Sequence, residues 1–410
     1  MSLLAKRSII KEDKSNIITL GAIAKEMKKK DPEVVNATIG MLYDEKGKLF
    51  VFDSVNKALS LLSDDEKYAY ASTPGSPQFH EAVKRWIFQD YYDEITSSMY
   101  VGVTATPGGS GAISNTFANY LNPDEKALLP NYMWGNYKQF TYESFSSYDT
   151  YKLFNEDGGF NLDDLKSKMY ELKAAQNRVV LVINDPCHNP TGYTMTDIEW
   201  EGVISLINEI SKDNTPVVLL LDMAYIDYDY RGLKATRDNI LRFKKLNDNV
   251  LTILAFSGSK TLALYGIRIG AMVGLTKNKE DIEDFNRANK FSSRAKWSNA
   301  TNLGANLISK IMLDNDMLES FKLELNKSRE TLLARANTFL EECQRVGLKT
   351  LPFKCGFFIT IPCDNPDKTY ERLVERKIHC IPMGNVIRVT ISAISLEECR
   401  ILPKQIKECL

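Results

Sequence analysis

Pro216-Val-Val-Leu-Leu-Leu-Asp222 and, upstream of it, Arg178-Val-Val-Leu-Val-Ile183 are the two stretches that decide the fold class. Each is apolar at consecutive positions, so both faces of the strand that it would form are apolar. Strands of this kind lie in parallel sheets that helices cover on both sides. The two stretches therefore predict an α/β domain with a mostly parallel central sheet flanked by helices.

The same pattern extends from about residue 100 to 275. Amphipathic stretches alternate with further short apolar runs at 101–106, 126–130, 249–256 and 267–275. The amphipathic stretch 196–211 opens with Thr196 and carries Glu199 three residues later, which is the pattern of a capping box at a helix N-terminus. Alternation of this type predicts strand–helix units within one large domain.

The pattern changes after about residue 310. We expect a long amphipathic helix over 316–345, a strand-like stretch over 351–362, a further helix, and a second strand around 386–391. These elements predict a smaller α+β domain that the N-terminal residues join. The predicted division gives a large domain at 51–320 and a small domain at 1–50 and 321–410.

The composition excludes several classes of protein. With 52 Lys plus Arg against 53 Asp plus Glu in 410 residues, the charge balance favours neither nucleic acid nor a membrane as a partner. Only His80, His188 and His379 occur, too few for most histidine-based hydrolases and histidine-rich metal sites, so we expect no metal. Seven cysteines without C-x-x-C spacing indicate no disulfide framework. The sequence has no run of 18 apolar residues, and we expect a cytoplasmic protein.

Two motifs place turn residues directly after predicted strands. Thr104-Ala-Thr-Pro-Gly-Gly-Ser-Gly-Ala112 could cradle a phosphate at the N-terminus of a helix expected from Ser110. It matches neither G-x-G-x-x-G nor G-x-S-x-G and lacks a Walker lysine, so an ordinary Gly-rich turn is the alternative. His188-Asn-Pro-Thr-Gly192 is also a common type of turn, but it lies at the strand end where α/β folds bind ligands.

Two further motifs place charges at strand ends. The carboxylate of Asp222-Met-Ala-Tyr225 needs a cation, which a protonated ring nitrogen of a cofactor or a core arginine could supply. In Ser257-Gly-Ser-Lys260, followed by Arg268, desolvation would lower the lysine pKa and leave an amine able to form a Schiff base. Penicillin-binding enzymes share S-x-x-K, but the S-D-N and K-T-G that they require do not occur here.

In this order, the four motifs resemble the class I/II aminotransferases, which are pyridoxal-phosphate enzymes of fold type I, over nearly the whole chain. Ile39-Gly40 with Asp44-Glu-Lys-Gly-Lys48 is similar to the N-terminal segment of the aspartate and aromatic aminotransferase subgroup. Further matches are Tyr70 five residues before Gly75, Trp134-Gly-Asn136, Ser298-Asn299 and Ile387-Arg388-Val389.

The resemblance implies a role for each matched residue. Lys260 would bind the cofactor pyridoxal 5′-phosphate and carry the proton, Asp222 would keep the pyridine nitrogen protonated, and Asn189 and Tyr225 would bond to the phenolic oxygen. The residues implied in phosphate binding are Gly109, Ser110, Ser257, Arg268 and Tyr70, of which Tyr70 reaches into the neighbouring subunit. Trp134 would stack on the pyridine, and the residues implied in substrate binding are Gly40, Asn189, Arg294 and Arg388.

The implied reaction transfers an amino group from an L-amino acid, aspartate or aromatic, to a 2-oxo acid such as 2-oxoglutarate by a ping-pong mechanism. Arg294, five residues before Asn299, matches an arginine that a partner subunit donates to dicarboxylic substrates, which implies a homodimer with shared sites. A solvated helix arginine is the alternative for Arg294, because Lys290 and Lys296 lie nearby. Other functions that remain open are a lyase or decarboxylase of the same fold and a non-catalytic binding protein.

The sequence departs from the subgroup at two places. Tyr137 stands where the subgroup usually has a histidine behind Asp222, and Ala300-Thr301 stands where it usually has two prolines. The segment expected at the site entrance carries apolar or aromatic side chains, Met41, Tyr43 and Leu49. These side chains favour aromatic donors alongside aspartate.

Overall fold

A computed structural model describes residues 2–9, 11 and 17–410. The strands in these ranges are β1 Val35–Asn36, β2 Tyr100–Thr106, β3 Lys126–Pro130, β4 Ser147–Tyr151, β5 Val179–Asn184, β6 Val217–Asp222, β7 Val250–Ser257, β8 Gly270–Thr276, β9 Phe358–Pro362, β10 Ile378–His379, β11 Ile381–Met383 and β12 Val386–Thr390. The α-helices are α1 Ile17–Lys30, α2 Asp53–Ser60, α3 Asp64–Tyr68, α4 Pro77–Phe88, α5 Tyr92–Ser98, α6 Gly108–Tyr120, α7 Asn136–Glu143, α8 Leu162–Gln176, α9 Asp197–Ser211, α10 Leu233–Arg242, α11 Gly258–Thr261, α12 Lys279–Lys296, α13 Asn302–Met312, α14 Asn315–Val346, α15 Pro366–Glu375 and α16 Leu396–Cys409.

The central sheet has seven strands in the order β2-β8-β7-β6-β5-β3-β4. Only β8 runs antiparallel to its neighbours, and the other pairs are parallel. Alternate residues of β5 and β6 belong to two separate apolar clusters, with Leu181 and Leu219 in one and Val180 and Val218 in the other. Each face of the sheet therefore has its own core, and the predicted α/β class is confirmed.

The parallel register brings the ends of the central strands to one edge. Asn184, the last residue of β5, pairs with Asp222, the last residue of β6, which in turn pairs with Ala255 near the end of β7. The loops after β5 and β6 carry Asn189 and Tyr225, and the short helix α11 directly after β7 carries Lys260. Segments far apart in sequence thus meet at the carboxyl edge of the sheet.

The C-terminal part contains a three-stranded antiparallel sheet, β11-β12-β9, and the two-stranded parallel pair β1-β10. Because Val35 pairs with Ile378 and Asn36 with His379, N-terminal residues are joined to the C-terminal part. This pairing supports the division that we propose, with a large domain at 51–320 and a small one at 1–50 and 321–410. The boundary at 320 lies inside α14, so this helix extends into both parts.

Several helices agree closely with the sequence expectations. The helix expected over 316–345 is α14, which begins after the Asp314 cap and ends at Gly347, whose φ is 69°. Thr196 and Glu199 form the expected capping box at the start of α9. No helix in the described part of the chain is long and apolar enough to cross a membrane.

Other boundaries differ from the expectations for local physical reasons. Strand β4 was not expected, because its sequence Ser-Tyr-Asp-Thr-Tyr is polar at an edge of the sheet. Helix α6 begins at Gly108 instead of Ser110, since Gly108 accepts the φ of 70° that the turn requires. The strand expected over 267–275 begins only at Gly270, after a turn in which Arg268 has a φ of 59°. Within 351–362 only Phe358–Pro362 forms a strand.

Candidate active site

A cavity of about 300 Å³ opens at the carboxyl edge of the central sheet, beside the N-terminus of α6. The predicted site residues that line it are Gly40, Gly109, Ser110, Trp134, Asn189, Asp222, Tyr225, Ser257, Lys260, Arg268 and Arg388. Tyr70 and Arg294 are absent from the lining. The described residues contain no group of three or more His, Cys, Asp or Glu side chains placed to hold a metal ion.

Lys260 follows β7 in the short helix α11, and its side chain opens onto the cavity. Its Nζ donates to the carbonyl oxygen of Gly40 and lies 4.7 Å from the ring centre of Tyr265 and 5.5 Å from that of Phe357. Burial, with a smaller contribution from the positive charges of Arg388 and Arg268, lowers the lysine pKa to about 7. A substantial share of the amine is therefore neutral near pH 7 and available as a nucleophile.

Asp222 ends β6 and is buried beside the cavity. Its Oδ2 accepts a hydrogen bond of 2.6 Å from the Tyr137 hydroxyl, and its Oδ1 accepts one of 3.2 Å from the Ala224 backbone N–H. Burial raises the pKa of this carboxyl, and the two donors oppose the rise. No described Lys or Arg is ion-paired with it, so it is not a core carboxylate held by arginine. A cationic ring nitrogen in the cavity would supply the missing charge.

Arg388 lies on β12 and is only 3% exposed. Its Nη1 donates to Asn189 Oδ1 at 3.2 Å and its Nη2 to the Thr38 carbonyl at 2.8 Å, whereas its Nε has no partner. The guanidinium lies 4.3 Å above the centre of the Phe358 ring. Burial lowers its pKa to about 10, and no described acidic side chain pairs with it. A buried cation with a free N–H group is suited to bind a carboxylate from outside the protein.

The start of α6 borders the same cavity and could hold an anion. Gly109 and Ser110 occupy the first turn of this helix, where backbone N–H groups point outwards and the helix dipole favours negative charge. Arg268 approaches the same turn and donates from Nη1 to Ser259 Oγ at 3.1 Å. A Cβ atom on Gly108 would lie 3.0 Å from Arg268 Nη2, so the guanidinium can approach this closely only because Gly108 has no side chain. A phosphate fits this combination of donors.

Tyr70 and Arg294 lie together on a different surface. Tyr70 is 96% exposed and borders a shallow depression of about 230 Å³ with Ser298 and Asn299. Arg294 donates to the Ser298 hydroxyl at 2.7 Å. The fold therefore brings these two residues near each other but not into the cavity of their own chain.

The sequence reasoning missed several residues of the cavity wall. Ser259 and Tyr265 stand inside motifs that were noted, but no role was assigned to them. Tyr265 accepts a hydrogen bond of 2.9 Å from the Leu42 N–H and so links the entrance segment to the turn between α11 and β8. Phe358, whose ring lies under the Arg388 guanidinium, could not be identified from the sequence, because nothing in its local sequence links it to an arginine thirty residues away.

A mostly parallel sheet that presents at one edge a lysine with a lowered pKa, a buried carboxylate and a helix start able to hold an anion is typical of an α/β enzyme suited to an aldehyde cofactor with a phosphate group. The family described as aminotransferase class I and II matches residues 32–406, so the chain belongs to this family. It is a pyridoxal-phosphate-dependent transaminase of fold type I, and the residues of the cavity fit that cofactor.

Individual relatives agree with this assignment. The chain is 26% identical to the aspartate aminotransferase of Escherichia coli K12 over 321 residues, which is 77% of this chain and 78% of that protein. It is also 26% identical to the aromatic-amino-acid aminotransferase of the same organism over 316 residues, covering 75% and 76%. The crystal structure of an aminotransferase from Anaerococcus prevotii superposes with a TM-score of 0.94 at 30% identity, covering 99% of this chain and 98% of that one. An aromatic-amino-acid aminotransferase from Burkholderia pseudomallei, covalently bound to pyridoxal phosphate, shares the fold over 100% of both chains at 23% identity and a TM-score of 0.80.

Proposed function

We propose that this transaminase moves the amino group of an L-amino acid, aspartate or aromatic, to a 2-oxo acid, with 2-oxoglutarate as acceptor, in two half-reactions of a ping-pong cycle. Relatives of both the aspartate and the aromatic kind support this range of donors. The apolar side chains of Ile39 and Met41 on the cavity wall are compatible with a bulky donor.

The observation that carries the proposal is the placement of Arg388 and Lys260 on one cavity. Arg388 is a buried cation without an acidic partner among the described residues, and the lowered pKa of Lys260 makes its neutral amine accessible near pH 7. The α-carboxylate of an amino acid or a 2-oxo acid would neutralise Arg388 through paired hydrogen bonds. This two-point contact fixes the direction of the Cα–H bond relative to the Lys260 amine, which proton transfer requires.

Pyridoxal phosphate, when bound, supplies an aldehyde that captures amino groups and a ring that accepts electron density. We assign to Lys260 the capture of the cofactor and the movement of the proton at Cα. The carboxylate of Asp222 keeps a proton on the ring nitrogen. Gly109, Ser110, Ser257 and Arg268 hold the phosphate, and the indole of Trp134 covers one side of the cavity.

Asn189 and Tyr225 are suited to donate to a phenolic oxygen. Asn189 Oδ1 is occupied by Arg388, so the amide NH₂ of Asn189 remains available as a donor. Tyr225 is buried against Phe357 and Phe358, and burial raises its pKa, so its hydroxyl stays protonated. Gly40 completes the substrate side of the cavity, where a Cβ would lie 2.5 Å from Phe358 Cζ.

We further propose that the enzyme is a homodimer with shared sites. Tyr70 and Arg294 are exposed on one patch and do not line the cavity of their own chain. In a dimer they would face the partner's cavity, with Tyr70 at the phosphate and Arg294 at the distal carboxylate of a dicarboxylic substrate.

The test of the reaction uses the enzyme loaded with pyridoxal phosphate and 2-oxoglutarate. Aspartate, tyrosine, phenylalanine, alanine and kynurenine are supplied in turn as donors, and the amounts of glutamate and of the new 2-oxo acid are measured. We expect equal amounts of the two products with aspartate or an aromatic donor. Release of ammonia or carbon dioxide without matching glutamate would show a lyase or decarboxylase instead.

The role of Arg388 is tested by Arg388→Gln. Loss of a charged two-point contact should raise the KM for amino acid and 2-oxo acid about 100-fold, with a smaller effect on kcat. The matched control is Arg237→Gln, because Arg237 is equally buried but paired with Asp227 at 2.8 Å. The control should lose about 3–5 kcal/mol of folding stability. The Arg388 variant should keep its stability, and an unchanged KM in that variant would contradict the assignment.

A further inference from the structure

Tyr137 has the closest contact with Asp222 of any described side chain and was given no role by the site motifs. Its hydroxyl donates to Asp222 Oδ2 at 2.6 Å, and the residue is fully buried at the start of α7. We infer that Tyr137 is a positioning residue that holds both the carboxylate of Asp222 and the indole of Trp134 in place for the cofactor ring. This inference rests on the proposed role of Asp222.

The first step of the argument concerns the charge of Asp222. The carboxylate is buried and accepts two hydrogen bonds from the described residues, of which the one from Tyr137 is 0.6 Å shorter than the one from Ala224. A hydrogen bond to the charged form of a carboxyl stabilises that form. Without the Tyr137 hydroxyl, Asp222 would take up a proton more readily, and a neutral carboxyl group would hold a ring nitrogen proton less firmly.

The second step concerns the charge of Tyr137 itself. Burial and the neighbouring Asp222 raise the pKa of this phenol well above its usual value. The hydroxyl therefore stays protonated and neutral across the working pH range, and it acts only as a donor to the carboxylate. Because Tyr137 neither gains nor loses charge, its hydrogen bond favours the ionised form of Asp222.

The third step concerns Trp134. Its ring lies edge-on to that of Tyr137, with 5.7 Å between ring centres and an angle of 82° between planes. The Tyr137 N–H also donates to the Trp134 carbonyl at 3.1 Å. Tyr137 thus contacts both Asp222, which is expected at the nitrogen edge of the cofactor ring, and Trp134, which is expected on the face of that ring. Trp134 and Asp222 both line the cavity.

The test compares Tyr137→Phe with Tyr151→Phe. Tyr151 is also fully buried, but its hydroxyl donates to the Val182 carbonyl at 3.2 Å, so this control loses a buried hydroxyl without affecting Asp222. The cofactor-free proteins are titrated with pyridoxal phosphate, and the ¹⁵N chemical shift of the labelled ring nitrogen is recorded in the loaded proteins. We expect Tyr137→Phe to weaken cofactor binding about tenfold and to move the nitrogen signal towards that of the neutral ring. Tyr151→Phe should change neither quantity.

Asp222→Asn separates failure of this inference from failure of the proposed function. If Asp222→Asn moves the nitrogen signal but Tyr137→Phe behaves as the wild type, the Tyr137 role is wrong and the role of Asp222 stands. If Asp222→Asn also leaves the signal unchanged, the proposed role of Asp222 is wrong. Should Tyr137→Phe not fold, Tyr137→His keeps a ring donor at this position. We expect it to retain the signal of the protonated ring, and a neutral-ring signal in that variant would overturn the inference.

Discussion

The side chains of the cavity carry charges that they do not neutralise among themselves. Lys260, Arg268 and Arg388 face the cavity, and none of them has an acidic partner among the described residues. Asp222 is buried without a basic partner. Unpaired charges that are buried, such as those of Arg388 and Asp222, lower the stability of the folded chain, and in the proposed function ligands supply the missing partners. The cost is therefore measurable in the cofactor-free protein.

The loss of folding stability caused by Lys260 depends on pH. Burial lowers its pKa from 10.5 to about 7, so between these values the folded chain binds fewer protons than the unfolded chain. The lysine contribution to the free energy of unfolding thus rises with pH across this window. Lys260→Met should remove that rise and should stabilise the cofactor-free chain by on the order of 3 kcal/mol near pH 7, with the difference vanishing near pH 10.5.

Urea unfolding of the cofactor-free proteins at a series of pH values measures this effect. Lys212→Met is the control, because Lys212 is exposed and its removal should leave the pH dependence as it is. If the free energy of unfolding changed with pH in the same way for the wild type and Lys260→Met, the lysine amine would not be desolvated in the folded chain.

At the scale of elements, the site depends on where strands end and helices begin. The register of β5, β6 and β7 aligns Asn184, Asp222 and Ala255, and α6 starts beside the same edge. The loop after β5 is also bonded to the C-terminal part, since Thr360 Oγ1 donates to the Pro190 carbonyl at 2.6 Å. This contact brings Asn189 within reach of β12, the strand that carries Arg388.

Gly108 tests the contribution of the α6 turn. Alanine there must adopt a φ of 70° and would place its Cβ 3.0 Å from Arg268 Nη2, which displaces the guanidinium from the anion site. We expect Gly108→Ala to weaken binding of pyridoxal phosphate by about ten- to hundredfold, because a charged contact is lost. Binding of pyridoxal, which lacks the phosphate, should change much less.

Gly347→Ala is the matched control for backbone strain. Gly347 has a φ of 69° at the end of α14, remote from the cavity lining. Both variants should lose about 1 kcal/mol of folding stability or more from the left-handed conformation. Equal affinities of both variants for pyridoxal phosphate, measured by fluorescence titration, would exclude a role of the α6 turn in phosphate binding.

At the scale of the whole molecule, one chain builds only part of the proposed site. The two ends of the sequence meet through the β1-β10 pair and through Arg335, which donates to the carbonyl oxygens of Tyr43 and Ser392. These contacts hold the entrance segment against the C-terminal part. Tyr70 and Arg294 remain on an outer surface, and a second copy of the chain is what would place them at a cavity.

Mixing of two inactive variants tests this shared arrangement. Lys260→Ala and Tyr70→Leu should each impair both sites of a homodimer, whereas a mixed dimer has one site with native Lys260 and native Tyr70. Unfolding and refolding the two together should restore about a quarter of the wild-type activity if subunits pair at random. Sedimentation should give twice the chain mass of 46.5 kDa. A mixture no more active than its components, or a fully active monomer, would contradict the shared site.

Some features were accessible from local sequence alone. The apolar runs around Leu181 and Leu219, the capping box at Thr196 and the long helix that became α14 depend on neighbouring residues, so periodicity and cap chemistry predict them. Boundaries that depend on distant contacts were missed. Strand β4 is polar and forms because β3 offers an edge, and Arg268 and Gly108 adopt positive φ values within turns.

The sequence by itself determined the fold class, the order of the strand-end motifs and the chemical types of residue at the proposed site, because these depend on local patterning and side-chain chemistry. Only the tertiary structure decided which groups meet. Tyr137 reaches Asp222 across 85 residues, Arg388 reaches Asn189 across 199, and Lys260 reaches Gly40 across 220. Such contacts follow from strand register and domain packing, and so do the burial that lowers the lysine pKa and the exposure that leaves Tyr70 outside its own cavity.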